Sequence, residues 1–181
     1  MKIPMKNGML IGGTILLLAG TSAFGADDVG LNYGDYYRGN EFSVDAFGSG
    51  SLGKYSIDHF SGNRLRHNTR LGLGAGINYF FNRYVGIGAD AYSENTTGPF
   101  VDSTSGNLIL RVPLGQSGFA PFAYGGGGHQ FDLAHVSFAQ VGAGMEYRFT
   151  PHIGTFLDAR WVFPDRTKYY GVARLGLRFA F

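Results

Sequence analysis

One pair of residues in the sequence has the types and the spacing for acyl-transfer chemistry. His135 and Ser137 lie two positions apart, so both point to the same face if they lie on a strand. A histidine within hydrogen-bond reach of a serine hydroxyl can act as its general base. The alternative interpretation is that the two are interfacial polar residues at the start of a strand. Which of the two interpretations holds depends on the secondary-structure element on which the two residues lie.

Two further arrangements of side chains could carry chemistry. A site resembling that of the omptin-type proteases, with aspartates and histidines at an outer rim, could use Asp58, His59, Asp102, Asp132 and His135. A metal site could use the histidines, but their spacings match no ligand motif; they are His59, His67, His129 and His135. Cysteine is absent, which excludes disulfides and thiolate ligands. We therefore expect neither a metal ion nor another cofactor.

The composition narrows the class of protein. Of 181 residues, 30 are glycine, 16 phenylalanine and 11 tyrosine, and only 15% are charged, against about 25% in soluble domains. Such a chain is too aromatic and too weakly charged to be disordered. Its net charge of +2 is too small for a general nucleic-acid binder, and we expect no nucleic-acid partner.

The first 25 residues have the layout of a secretory signal peptide. Lys2 and Lys6 precede an apolar core from Met9 to Ala19, and small residues follow up to Gly25. That core is shorter than the roughly 20 residues of a membrane-spanning helix. We predict that residues 1–25 are removed and that residues 26–40 form a periplasmic N-terminal tail.

The rest of the chain alternates with a period of two, which is typical of β-strands. In residues 69–81 the odd positions include Leu71, Leu73 and Ile77, whereas the even positions carry Arg70 and small or polar residues apart from the last, Phe80. One face of each strand is therefore apolar and the other small or polar. Eight segments show this alternation: residues 41–47, 69–81, 84–92, 105–112, 119–129, 137–149, 153–163 and 169–181.

The linkers between these segments alternate in length. Short turns follow the second, fourth and sixth segments. The linkers after the first, third, fifth and seventh segments cover residues 48–68, 93–104, 130–136 and 164–168, and the first two of these are long. Outer-membrane barrels have short periplasmic turns and longer outer loops. The pattern therefore predicts an all-β protein in which residues 41–181 form an eight-stranded antiparallel up-and-down transmembrane β-barrel.

The charged residues determine which face of the strands meets lipid. They share the polar face, and an arginine near the middle of a bilayer costs roughly 2–4 kcal/mol. Several such residues would rival a total stability of about 5–15 kcal/mol, so the charged face must point inward. The predicted lumen holds a nearly neutral network that can pair internally: Glu41, Asp45, Arg70, Asp90, Arg111, Glu146, Arg148, Asp158, Arg160, Arg174 and Arg178.

The outward aromatic residues support this orientation. They fall into two groups at opposite ends of the strands, which matches the two interfaces of a membrane with water. The group at the short turns contains Tyr79, Phe81, Tyr147, Phe149, Phe179 and Phe181. The group at the long loops contains Trp161, Phe163 and Tyr169.

The end of the chain resembles the C-terminal signal of bacterial outer-membrane barrels. This signal combines a polar residue, a glycine and two aromatic residues, here Arg174, Gly176, Phe179 and Phe181. Residues 121–127, 142–149 and 158–161 resemble strands of the small barrels of the OmpA membrane-domain and OmpX-like type. The resemblance implies a monomer in the outer membrane of a Gram-negative-type bacterium. Its implied partners are outer-membrane lipid, lipopolysaccharide and, through the last strand, the barrel-assembly machinery.

The resemblance also bears on the candidate chemistry. Lipid-A deacylases of the PagL type carry a histidine and a serine on the penultimate strand, where this chain has Arg160, Trp161 and Val162. Their glutamate on the last strand has no counterpart, because residues 169–181 contain no acid. Omptin-type proteases, which would use aspartates and histidines at the rim, resemble longer, ten-stranded barrels. We therefore expect no enzymatic activity.

Eight strands enclose a lumen that side chains can fill, so we expect a plugged barrel whose function lies in its outer loops or in stiffening the membrane. The first loop offers Tyr55, Ile57, Phe60 and Leu65 as a contact surface. Two alternatives remain: a narrow channel for ions or small solutes, and a lipid-A-modifying hydrolase.

Overall fold

The computed structural model describes residues 36–53, 55–57, 64–66, 69–94, 101–131, 136–165 and 168–181. The predicted signal peptide and most of the predicted tail lie outside these ranges, as do Asp58, His59, Phe60, His67, Asp132 and His135. Among the residues described, no helix has the length and apolar character needed to cross a membrane.

The described residues form ten strands. These are β1 (Glu41–Leu52), β2 (Tyr55–Ile57), β3 (Arg64–Arg66), β4 (Thr69–Phe80), β5 (Val85–Ser93), β6 (Ser103–Arg111), β7 (Phe119–Gln130), β8 (Val136–Arg148), β9 (Ile153–Pro164) and β10 (Tyr170–Ala180).

Eight of these strands close into one antiparallel barrel. Around the barrel each strand pairs with the next one along the chain, and β1 pairs with both β4 and β10. β2 and β3 form a separate two-stranded sheet within the first loop. The predicted eight-stranded up-and-down topology is confirmed. The two longest connections, from β1 to β4 and from β5 to β6, lie at the predicted outer end, but residues 112–118 between β6 and β7 form a longer connection than residues 131–135 or 165–169, so the predicted alternation in length holds only in part.

The first strand is longer than the sequence pattern indicated. The prediction ended it at residue 47, but β1 continues to Leu52. Residues 48–51 are Gly-Ser-Gly-Ser and show no alternation of apolar side chains. Backbone pairing extends the strand nevertheless, because Ser51 lies opposite Val172 on one side and Arg70 on the other. The first loop therefore begins after Leu52, and it contains a short hairpin. The other strand ends agree with the prediction to within two residues.

The two faces of the barrel wall have opposite character. The outward side chains form an apolar surface on which Leu71 and Leu73 are 78% and 76% exposed. The inward side chains include arginines and acids that are almost completely buried. This is the arrangement expected of a barrel in lipid, since a barrel in water would present its charged face to the solvent. The aromatic residues Tyr79, Phe81, Phe149, Phe163 and Tyr169 lie outward near the strand ends.

Glycines in the wall make room for inward aromatic rings. A Cβ placed on Gly74 would lie 2.5 Å from ring atoms of Phe47, and a Cβ on Gly142 would lie 2.5 Å from the ring of Tyr124. Each ring therefore lies against the bare backbone of another strand. This close approach lets a narrow barrel hold large side chains in its interior.

Candidate functional site

The site that the sequence predicts is the charged lumen, and most of its residues meet there. At the end of the barrel with the short turns, three acids and three arginines form ion pairs within the described residues. We call this group the short-turn cluster; it consists of Glu41, Asp45, Arg111, Glu146, Arg148 and Arg178.

Glu41 joins two of the arginines of the short-turn cluster. Nη2 of Arg148 donates to Oε1 of Glu41 at 2.5 Å, and Nη1 of Arg148 donates to Oε2 at 2.8 Å. Nη1 of Arg111 donates to the same Oε1 at 3.0 Å. Glu41 begins β1, whereas the arginines lie at the ends of β6 and β8, so the contact spans the lumen.

Glu146 lies at the centre of the short-turn cluster and is completely buried. It accepts hydrogen bonds from Nε of Arg148 at 2.7 Å and from Nη1 of Arg178 at 2.6 Å, and Nη1 of Arg111 is 3.7 Å away. Arg178 also forms a two-pronged pair with Asp45, with both distances 2.7 Å. Such charge-assisted, bidentate pairs are the strongest hydrogen bonds that side chains make.

A second group, the central cluster, lies farther from the short turns. It consists of Asp90, Asp158, Arg160 and Arg174. Arg174 donates to Asp158 at 2.9 Å and to Asp90 at 3.1 Å, whereas Arg160 donates to Asp90 at 3.2 Å. The hydroxyl of Tyr124 also donates to Asp158, at 2.9 Å. Two acids therefore balance two arginines.

An aromatic ring separates the two clusters. The guanidinium carbon of Arg174 lies 5.9 Å from the centroid of Phe156, and that of Arg178 lies 5.2 Å from it. Phe47 contacts the same ring edge-on, with centroids 6.3 Å apart. The rings fill the lumen between the charged layers, and the cations gain from their π faces.

The structure brings together ten of the eleven predicted lumen residues, five acids and five arginines. The remaining residue, Arg70, lies near the long-loop end of β4, is half-buried and is outside both clusters. Each cluster is neutral, so every buried charge lies close to an opposite charge. This pairing offsets the free-energy cost of removing the charged side chains from water.

Tyr37 belongs to the site, although the sequence pattern assigned it to a tail. The guanidinium carbons of Arg111 and Arg148 lie 4.6 Å and 4.5 Å from the centroid of its ring. Its hydroxyl donates to the carbonyl of Gly118 at 2.6 Å. Burial, followed by the charge of Glu146, raises the pKa of Tyr37 above its usual range, so the phenol keeps its proton. No sequence signal marks a single tyrosine in a polar segment as a buried residue.

The chain enters the barrel from Tyr37 through a turn. Asn40 has a positive φ of 54°, a conformation that asparagine tolerates better than most residues. Its side-chain oxygen accepts a hydrogen bond from the hydroxyl of Tyr79 at 3.2 Å. The carbonyl of Tyr36 accepts another from Arg148 at 2.5 Å. These contacts hold residues 36–40 against the short-turn end of the barrel.

The candidate enzymatic residues are not assembled into a site by the described part of the chain. His135 lies outside it, and Oγ of Ser137 lies 3.4 Å from Nδ1 of His129, its neighbour across the strand pair. One carboxylate oxygen of Asp102 accepts the backbone N–H of Glu94 at 2.5 Å. No group of three or more potential metal ligands occurs among the described residues.

The residues of the C-terminal signal divide between the two faces of β10. Arg174 points inward to its aspartates, and Gly176 lies against Phe47 and Phe156. Phe179 and Phe181 are exposed on the outer face. The ring centroids of Phe181 and Phe42 are 6.4 Å apart. Recognition by the assembly machinery stays a prediction.

Comparison with known proteins gives similarity at the level of structure. No family model matches the chain, and no curated protein does. The N-terminal barrel domain of OprF from Pseudomonas aeruginosa matches with a TM-score of 0.60 and 20% identity, over 80% of this chain and 99% of that one.

Two other outer-membrane or surface proteins match in the same way. OprG from Pseudomonas aeruginosa matches with a TM-score of 0.56 and 12% identity, over 80% of this chain and 97% of that one. Ail, the attachment invasion locus protein of Yersinia pestis, matches with a TM-score of 0.52 and 15% identity, over 79% and 99%. The chain therefore has the fold of the small bacterial outer-membrane β-barrels, and its apolar outer surface agrees with the predicted location in the outer membrane.

Proposed function

We propose that the protein is a non-conducting, non-enzymatic outer-membrane barrel that makes its biological contacts through its outer loops. The observation that carries this proposal is the filling of the lumen by two neutral ion-pair clusters with an aromatic layer between them. An eight-stranded barrel has little space beyond what its own side chains occupy.

Opening such a lumen would require breaking buried ion pairs. Removing one partner of a buried pair typically costs about 3–5 kcal/mol, and Glu146 alone has three arginines around it. At the short-turn end, the ring of Tyr37 stacks beneath this cluster. Steady passage of ions is therefore not expected of the folded barrel.

The loops are the part of the protein that the barrel does not need for its own closure. β2 and β3 pair with each other, and the barrel ladder runs from β1 directly to β4. The hairpin is therefore available for contacts outside the barrel. Lipopolysaccharide, the major lipid at that surface, is the partner that we propose for the loops.

Conductance across a planar lipid bilayer tests the closed lumen. We expect no steady single-channel steps from samples whose folding is shown by heat-modifiable migration on a detergent gel. A sixteen-stranded porin in the same bilayer is the positive control, since barrels of that size enclose an aqueous channel. Reproducible steps from the folded protein would refute the proposal and support the channel alternative.

Replacement of residues 54–68 by a short Gly/Ser turn tests the role of the loop. We expect the trimmed barrel to fold and to stay heat-modifiable, and to bind lipopolysaccharide vesicles more weakly than the full chain does. Vesicles of phospholipid without lipopolysaccharide are the control for general lipid binding. Equal binding of both barrels to both vesicles would remove the loop from the proposed function.

Mass spectra of lipid A separate this proposal from the hydrolase alternative. Lipid A from cells that make the protein is expected to carry the same acyl chains as lipid A from cells that lack it. Loss of an acyl chain that the Ser137→Ala variant prevents would establish the enzyme instead.

A further inference from the structure

A groove lies on the outer face of the barrel wall at the end with the long loops, where β9, β10 and β1 run side by side. Its volume is about 660 Å³, within the roughly 300–1,000 Å³ typical of sites for small organic ligands. Most of its lining side chains point outward, so the groove faces the membrane. These outward side chains are Leu52, Ala159, Trp161, Tyr169, Gly171 and Ala173.

The strand register gives the groove a floor of small residues between two larger side chains. Gly171 lies opposite Leu52 of β1 on one side and Trp161 of β9 on the other. In the next row toward the membrane, Ala173 lies opposite Ala159. Leu52 and Trp161 are 60% and 52% exposed, so they form the two walls of the groove.

Packing inside the barrel does not require a glycine at position 171. Gly74 and Gly142 make room for inward rings, whereas a Cβ added to Gly171 would have no atom within 4 Å. The lumen behind it is filled by Tyr170 and Val172, which are buried in one apolar cluster. The depression is therefore a feature of the outer surface, and a larger side chain at position 171 would fill it.

The rim of the groove carries a cation. Lys168 lines the groove and is exposed, and it precedes Tyr169 of the aromatic group at the long loops. Such aromatic groups mark the interface of the membrane with water, so Lys168 lies at the level of the lipid headgroups. Arg160 also lines the groove, but its guanidinium group points into the lumen, 3.2 Å from Asp90. Asp165, an acid of the same connection, is exposed and does not line the groove.

We propose that this groove binds lipid A, the phosphorylated and acylated part of lipopolysaccharide, with one acyl chain between Leu52 and Trp161 and a phosphate on Lys168. An apolar groove beside a cation matches a ligand that has a hydrocarbon chain and an anionic head. Lipid A presents both at the outer surface of the membrane, where the long loops lie. This inference rests on the proposed function for the contact with lipopolysaccharide, and it places that contact on the barrel wall.

Trp161 is the single tryptophan of the chain, so its fluorescence reports which lipid occupies the groove. The folded protein is placed in vesicles of phosphatidylcholine with brominated acyl chains, because bromine quenches tryptophan on contact. Unbrominated lipid A, phosphatidylglycerol or phosphatidylcholine is then added in increasing mole fraction. Recovery of the fluorescence measures displacement of brominated chains from Trp161, and the phosphatidylcholine series gives the recovery due to dilution alone. Heat-modifiable migration shows that each sample is folded.

Two variants change the groove, and each has a matched control. Gly171→Leu fills the floor, whereas Gly106→Leu adds the same side chain to the outer face of β6, where an added Cβ also meets no atom within 4 Å. Lys168→Gln removes the charge at the rim, whereas Arg38→Gln removes an exposed charge at the short-turn end.

In the wild type, lipid A should restore the fluorescence at a mole fraction at least about fivefold lower than phosphatidylcholine does, the factor that one lysine near anionic lipid provides. Gly171→Leu and Lys168→Gln should lose this preference, and both control variants should keep it. Equal recovery by lipid A and phosphatidylcholine in the wild type would overturn the site. Equal recovery by lipid A and phosphatidylglycerol would overturn the assignment to lipid A.

The barrel in which a short turn replaces residues 54–68 separates this inference from the proposed function. It keeps Trp161 and the groove, so it should keep the preference for lipid A at Trp161. A preference that is lost with the loop but kept in Lys168→Gln and Gly171→Leu would assign lipid A to the loop, and the groove would fail while the proposed function stands. If only the groove variants lose the preference and trimming leaves vesicle binding unchanged, the groove stands and the role of the loop fails.

Discussion

The guanidinium carbon of Arg148 lies 4.5 Å from the centre of the Tyr37 ring. This contact joins the segment before the first strand to the short-turn cluster. The guanidinium carbon of Arg111 lies 4.6 Å from the centre of the same ring, so one aromatic side chain contacts two buried cations. Cation–π contacts of this kind are worth about 2 kcal/mol when they are desolvated.

Tyr37 is therefore expected to stabilise the barrel. Tyr37→Ala should lower the free energy of unfolding by about 3–5 kcal/mol, as large aromatic-to-alanine changes at buried sites do. Tyr37→Phe keeps the ring and loses only the hydrogen bonds of the hydroxyl, so its free energy of unfolding should fall by only about 1 kcal/mol. Denaturant unfolding in lipid vesicles measures both. Equal stability of the alanine variant and the wild type would show that the ring is not part of the closed end.

Alkaline pH should act through the same residue. Burial raises the pKa of Tyr37 in the folded protein, whereas in the unfolded chain a tyrosine titrates near pH 10, its usual value. The unfolded state then releases this proton first, so the stability contributed by neutral Tyr37 is complete below about pH 10 and falls as the pH rises above it.

This dependence can be isolated by comparing wild type with Tyr37→Phe. The stability difference between the two should shrink above pH 10 and change sign if the charged phenolate is forced into the site. Denaturant midpoints between pH 8 and 11 give the comparison, with conditions chosen relative to the usual tyrosine pKa. A difference that is constant across this range would contradict the buried environment of the phenol.

Glu146 should be among the most sensitive positions in the lumen. Glu146→Gln leaves Arg111, Arg148 and Arg178 with one acid fewer, and an unbalanced buried charge typically costs about 3–5 kcal/mol. Asp165→Asn is the matched control, because this carboxylate lies on an exposed turn where such changes cost less than about 0.5 kcal/mol. Similar unfolding midpoints for the two variants would argue that the cluster is hydrated.

Two glycines offer a test of the tight packing inside the wall. Gly74→Ala would place a methyl group 2.5 Å from the ring of Phe47 and 2.7 Å from the carbonyl oxygen of Ala91. It should cost about 1–3 kcal/mol through overpacking. Gly106→Ala is the control, because nothing lies within 4 Å of its added Cβ. In thermal unfolding, the midpoint of Gly74→Ala should be lower than that of Gly106→Ala. A smaller side chain at position 47 should restore the stability of the Gly74→Ala variant.

The sequence by itself determined the number of barrel strands, their antiparallel order and the face that meets lipid. The reason is that a strand has a period of two, so the side chains of Leu71 and Leu73 point to one face of the strand and that of Arg70 points to the other. The energy of arginine in hydrocarbon then selects the orientation without knowledge of any contact. The same reasoning predicted which charged residues face the lumen.

What the tertiary structure decided is which charges pair, how far β1 extends and where Tyr37 lies. Arg178 pairs with Asp45 and Glu146, which are 133 and 32 residues away along the chain, and such partners depend on how the strands are staggered when the barrel closes. The Gly-Ser end of β1 is ordered by backbone pairing with β4 and β10, which leaves no mark on the side-chain pattern. Tyr37 is buried because two arginines from distant strands meet above its ring, and only the closed barrel brings them together.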